Sequence, residues 1–157
     1  MDLYYFSFTG TSKSLAFALA SKLKITPKEI KSFSFPYPIW LLLSFIPPLC
    51  LKAKFEPPES SSGILVFPKW TFNCPPVTYF LKGVSFEKLL LIILYGGWRE
   101  KPYGEYYRKL ALKKCKRVDI IYIKRKKWLG EGELILKKIS AKAEEFFSET
   151  HTLRKET

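Results

Sequence analysis

Two stretches constrain this chain's fold more than anything else: residues 63–67 (GILVF) and 89–95 (LLLIILY) are unbroken apolar runs of strand length. A strand with one wet face alternates polar and apolar residues. An unbroken run suits a strand covered on both faces, as in the middle of a parallel sheet. Residues 3–8 (LYYFSF) and 118–123 (VDIIYI) read the same way, and residues 30–35 form a shorter, ambiguous candidate. Helical spacing fills the gaps. Leu15, Ala16, Leu19, Ala20 and Leu23 share one face before Pro27, residues 76–81 and 103–115 follow, and residues 131–147 carry a last amphipathic stripe. Strands joined through helices make right-handed β-α-β units. The expected fold is therefore α/β, a doubly wound three-layer sandwich around a five-stranded parallel sheet in the order 2-1-3-4-5. The length of 157 residues suits one domain over residues 1–150, with residues 151–157, including the lone His151, as a frayed polar tail.

Residues 36–62 fit this scheme least well. PYPIWLLLSF (36–45) reads as a short second helix or an insertion, LCLKAKF (49–55) alternates like a strand, and Pro57-Pro58 with Ser60, Ser61 and Ser62 reads as a surface loop. The apolar stretch at 39–51 is broken by Ser44 and Pro47-Pro48, and falls short of the roughly 20 residues needed to span a bilayer as a helix.

Charge restricts the partners. The formal net charge is +13, with clusters at Lys113, Lys114, Lys116 and Arg117 and at Lys124, Arg125, Lys126 and Lys127. Such a field favours acidic proteins or an anionic membrane surface. Nucleic acid is not expected as a partner, because no single-strand platform or groove-reading motif accompanies the charge. Cys50, Cys74 and Cys115 are widely spaced, odd in number and form no C-x-x-C, which supports neither a zinc site nor a disulfide framework and suits a reducing cytoplasm. The N-terminus runs straight into a strand pattern, without the layout of a secretion signal. With no Gln, one Asn and abundant Lys and Glu, the composition follows the trend of thermophile proteins.

The strongest local signal is YYFSFTGTSKSLAFAL, residues 4–19. A buried strand enters a turn of Ser7, Thr9, Gly10, Thr11 and Ser12, and a helix starts there. The first turn of a helix presents unpaired N–H groups and a partial positive charge. Gly10 lets the backbone approach an anion, and the hydroxyls add donors. The spacing is neither that of a Walker A loop nor G-x-G-x-x-G, so these residues favour a phosphate monoester over a nucleoside triphosphate.

This segment resembles the FMN phosphate loop of the flavodoxin family: an apolar strand, then S/T-x-T-G-x-T, then a helix with Ala16 and Leu19 in its early turns. Ser12 stands where Thr is usual and keeps the hydroxyl. Two further loops resemble the family's flavin loops. In FPKWTFNCPP (67–76), the resemblance puts Trp70 against the flavin ring, with Lys69, Thr71 and Asn73 around it; Asn73 is a residue type that tolerates positive φ. In LYGGWREKPYGEYY (94–107), Tyr95, Gly96 and Gly97 would approach the ring edge, and Trp98 and Tyr103 are candidates for the second stacking face. Cys74 reads as a small buried residue rather than a redox thiol.

The resemblance implies non-covalent FMN, a flavodoxin-like fold and electron transfer. No iron–sulfur cysteines are present, so electrons would come from a separate protein, and the basic surface would suit an acidic redox protein such as a ferredoxin. The alternative is a flavin-dependent NAD(P)H or quinone reductase acting near a membrane surface. The positive charge departs from the typically acidic flavodoxin shuttles. Acid–base catalysis has no support, because no carboxylate pair has a telling context and His151 lies in the tail.

Overall fold

The runs at 63–67 and 89–95 become inner strands of one parallel sheet. A computed structural model describes residues 1–46 and 49–149; Pro47, Pro48, His151 and the expected frayed tail lie outside the described residues. Along the chain come β1 (Asp2–Tyr5), α1 (Thr11–Leu23), β2 (Pro27–Glu29), α2 (Tyr37–Ser44), β3 (Ser62–Pro68), α3 (Pro75–Gly83), β4 (Lys88–Tyr95), α4 (Glu100–Leu112), β5 (Arg117–Lys124) and α5 (Arg125–Ser148). The strand order is β2-β1-β3-β4-β5, all parallel, the doubly wound order expected from the alternation.

Both faces of the inner strands are covered, which is why their sequences do not alternate. Leu89, Leu91 and Ile93 of β4 point into a core with α3 and α4, where Phe80, Tyr103 and Tyr107 pack. Leu90, Ile92 and Leu94 point the other way, to Leu15 and Leu19 of α1 and Ile139 and Phe146 of α5. Each fully buried Leu or Ile contributes about 1.5–3 kcal/mol relative to exposure, so β4 alone accounts for a large share of the apolar stabilisation.

The second strand differs from the expected position. It spans Pro27–Glu29 rather than residues 30–35, because parallel register with β1 pairs Leu3 with Pro27 and Tyr5 with Glu29. Pro27, expected only as a helix stop, opens an edge strand, where its missing N–H costs nothing. Ile30 is still buried, and its N–H donates to Tyr5 O at 2.8 Å. The helix on β5 also begins earlier than residue 131: it starts at Arg125, and a kink at Glu131 (φ −130°, ψ 35°) separates a first turn-and-a-half from the amphipathic stripe.

Residues 36–62 divide as their composition suggests. α2 forms over Tyr37–Ser44, and the alternating LCLKAKF stretch is extended, with Ala53 buried and Lys52 and Lys54 exposed. It makes one antiparallel bridge, Lys31 with Lys54, and never joins the sheet. This extended segment covers the face of β1: Phe55 meets Tyr4 edge-on at 6.5 Å, and the Tyr4 hydroxyl donates to Glu56 O at 2.7 Å. α2 is thereby freed from the sheet face and has no extensive contact with any other described element. It sits across the carboxyl ends of β1 and β3, where Phe72 N–H donates to Ser44 O at 3.1 Å.

Candidate functional site

The site gathers on the carboxyl edge of the sheet, where each strand hands over to a helix. After β1, Gly10 takes φ 91° and starts α1. A residue with a Cβ would be strained there, although the space around the position is open. Gly10 N–H donates to Ser7 Oγ at 3.1 Å, and the Thr9 and Thr11 hydroxyls lie 3.4 Å apart. No side chain caps α1, so the N–H groups of its first turn lack a side-chain acceptor. Ser7 and Thr11 are half-buried, Thr9 is exposed and Ser12 is buried. The loop thus offers backbone N–H groups, hydroxyls and a helix dipole, the donor set a phosphate monoester requires.

Beside it lies a cavity of about 340 Å³ walled by Tyr37, Trp40, Leu41, Ser44, Lys69, Trp70, Thr71 and Trp98. Ligand pockets of this kind are mostly apolar, with a few polar groups. Phe8 links loop and cavity: its ring lies 6.1 Å from Trp70 and 5.9 Å from Tyr37. Trp70 stands on Trp40 (5.2 Å) and Phe6 (5.6 Å), which fixes its plane. Opposite, Trp98 is 63 % exposed and carries the Lys69 ammonium 5.8 Å and the Arg99 guanidinium 5.2 Å above its ring. Burial holds the Lys69 ammonium below the usual lysine range; Glu100 opposes this and Arg99 adds to it.

Among the expected site residues, Lys69, Trp70, Thr71 and Trp98 line this cavity together. Tyr95, Gly96 and Gly97 sit at the end of β4 outside its lining, with Gly97 at φ 140°. Tyr103 is buried and braces the wall from behind: its hydroxyl donates to Pro68 O at 3.2 Å and accepts from Trp70 N–H at 3.3 Å. Burial pushes its phenol well above the usual range, so it stays neutral.

Asn73 has a different place from the one expected. Among the described residues the non-glycine positive φ angles belong to Lys24 (56°) and Arg99 (50°), not to Asn73. Asn73 is fully buried. Its amide donates to Ile46 O (3.0 Å) and Leu49 O (2.7 Å), and its oxygen accepts from Thr78 (2.5 Å) and Tyr107 (2.9 Å). It ties the chain after α2 to the cavity wall and is spent in doing so. Cys74 next to it is fully buried, and burial pushes its thiol far up, which leaves no nucleophilic thiolate.

The residues missed in the sequence belong to α2. Tyr37, Trp40, Leu41 and Ser44 recur at helical spacing toward the cavity, and Ser44 Oγ lies 3.2 Å from Thr71 Oγ1. Their i, i+3, i+4 spacing was visible, but nothing local told which surface it faced.

No model of a known protein family matches the chain. Over 128 residues it is 47 % identical to an uncharacterized protein of Archaeoglobus fulgidus, covering 80 % of this chain and 86 % of that one. Among solved structures it is similar to a proposed flavoprotein from Bacteroides eggerthii, with TM-score 0.60 and 18 % identity over 85 % of this chain and 95 % of the other. It is also similar to a proposed flavoprotein from Bacteroides uniformis, with TM-score 0.62 and 13 % identity over 82 % and 96 %. The apo-form of a flavoprotein from Lactobacillus acidophilus gives TM-score 0.58 and 13 % identity over 77 % and 91 %.

Proposed function

This chain belongs to the family of the Archaeoglobus fulgidus protein and has a flavodoxin-like fold, and from that premise we propose that it binds FMN and transfers electrons. The observation that carries the reading is the uncapped α1 N-terminus at Gly10 standing next to a cavity walled by tryptophans. The names of the structural neighbours point the same way.

The residues present fit the group. Backbone N–H groups of residues 11–13 and the hydroxyls of Ser7, Thr9 and Thr11 would hold the phosphate. Trp70, locked by Trp40 and Phe6, presents a fixed face for a planar ring. Trp98 offers an exposed face on the other side. Bound FMN would supply one- and two-electron redox chemistry. The chain's part is to orient the ring, exclude water through α2, and keep the Lys69 and Arg99 charges at the mouth, where they attract an anionic partner surface.

Visible absorption and tryptophan emission test this on the purified protein with added FMN. A perturbed flavin spectrum with quenched emission at saturation is expected. An unchanged spectrum with unquenched tryptophans contradicts it.

A further inference from the structure

We propose that this protein docks on an anionic lipid bilayer through α2, with the basic carboxyl edge of the sheet against the headgroups. The inference is independent of the flavin reading. It starts from a helix that is apolar all round yet buries only a narrow stripe. In Tyr37–Ser44 only Trp40 and Ser44 are buried. Leu42 is 68 % exposed and Phe45 51 % exposed, and Tyr37, Ile39, Leu41 and Ile46 are exposed with them. A helix without a polar face is normally enclosed by protein or by lipid. The patch continues beyond the helix, because Phe45 packs on exposed Phe72 at 5.8 Å, and Phe72 shares a hollow with Arg99. A continuous apolar surface of this kind marks an interaction site.

Charge identifies the occupant. Each of the five strand-to-helix connections on this edge carries a cation within it or in the first turn of the next helix: Lys13, Lys31, Lys69, Arg99 (followed by Lys101) and Arg125, the last between Lys124 at the end of β5 and Lys126 and Lys127. The connections themselves hold no acidic residue; Glu29 and Glu100 flank them. The N-termini of α1, α3, α4 and α5 also face this edge and add their positive dipole ends. Among the described residues the ion pairs lie elsewhere. Asp2–Lys28–Glu59, Glu87–Lys116 and Arg117–Glu149 lie at the opposite edge, which also carries Lys22, Lys82, Lys113 and Lys114 at the helix C-termini, and Glu105–Arg108 and Asp119–Lys142 lie on the flanks. Basic residues thus lie at both edges, and what sets the carboxyl edge apart is that its cations, with no ion pair among the described residues there, stand beside the exposed apolar surface of α2.

A second copy on this face would press cation against cation at a net charge of +13 each. An acidic redox protein would match the charge and leave Leu42, Phe45 and Ile46 without an apolar counterpart. An anionic bilayer satisfies both. Apolar side chains enter the acyl boundary, Tyr37 and Trp98 lie at headgroup depth, and the lysines meet anionic lipid.

Sedimentation of the whole protein with phosphatidylcholine vesicles, with and without about one-third phosphatidylglycerol, tests the proposal. Binding to the anionic vesicles is expected, about 100-fold tighter than to neutral ones and weakened by salt as screening shortens. Leu42→Asp with Phe45→Asp, both exposed and checked for folding by circular dichroism, lowers binding by about 100-fold. Arg99→Glu with Lys101→Glu lowers it by about tenfold or more. Lipid brominated near the headgroup quenches tryptophan emission in the wild type and not in the α2 variant. Failure to sediment with anionic vesicles at low salt overturns the proposal. So does binding that is indifferent to the α2 variant, or an α2-dependent dimer or complex with an acidic protein in place of vesicle binding.

Discussion

Replacing Asn73 by Ala removes four hydrogen bonds at one point, and the structure sets the cost. The change takes the donor from Leu49 O and from Ile46 O, which keeps the Leu49 N–H at 3.1 Å, and takes the acceptor from Thr78 and Tyr107. A buried group left without a partner costs about 1–3 kcal/mol. The two carbonyls belong to a surface loop and can turn to water. The two hydroxyls keep each other at 3.1 Å, and Tyr107 still accepts from Cys74 N–H at 2.6 Å. The sum therefore falls well short of four full penalties, near 3 kcal/mol, which is a large fraction of the 5–15 kcal/mol typical of a domain. Urea unfolding followed by far-ultraviolet circular dichroism reads this directly. Asn73→Asp supplies a control: it keeps the acceptor for Thr78 and Tyr107 and sets a buried carboxylate against two carbonyl oxygens. Burial raises that carboxyl's folded pKa above its unfolded value near 3.9. Relative stability is then best below about pH 4 and is lost as pH rises through the folded pKa. A loss below about 1 kcal/mol in Asn73→Ala, or an Asp variant as stable as wild type at pH 7, refutes the reasoning.

Three other outcomes follow from the geometry. Gly10→Ala meets no clash and costs about 1–2 kcal/mol through its φ of 91° alone, read as a lower melting temperature. Burial pushes the Asp2 carboxyl up, but Lys28 and the Ser60 and Glu59 N–H groups outweigh this and hold it below the usual range. Its stabilisation is present above the unfolded pKa and lost as pH falls through the folded one; Asp2→Asn thus costs about 1.5–3 kcal/mol at pH 7, and the gap to wild type closes below about pH 4 in pH-dependent melts. Trp98→Ala weakens FMN by about 2- to 10-fold in a fluorescence titration, as expected for one exposed stacking face, whereas Trp128→Phe, in the opposite core, leaves the affinity unchanged.

The sheet was legible because its inner strands are apolar on both faces, a pattern that no helix boundary or turn disguises. The edge strand was not: β2 is three residues long and is defined by its pairing with β1, which the residues KITPKE do not announce. The phosphate loop was readable because strand, glycine, hydroxyls and helix are contiguous in sequence. The cavity wall was readable only in part. Trp70 and Trp98 follow β3 and β4 directly, whereas Tyr37 and Trp40 reach the cavity because an extended segment occupies the sheet face and displaces α2 to the edge. Asn73 was misplaced for the same reason. Its residue type suits a turn, but its partners at Ile46, Leu49, Thr78 and Tyr107 are set by tertiary packing.

Comparing FMN with riboflavin tests the central claim most directly, because the two differ only in the phosphate that the Ser7–Thr11 loop would hold. Isothermal titration of the wild type should give FMN about 100-fold tighter or more, since each hydrogen bond to a charged group contributes about 1.5–3 kcal/mol. Thr9→Ala with Thr11→Ala should remove most of that difference and leave riboflavin binding unchanged. Equal affinity of the wild type for the two flavins would contradict the account.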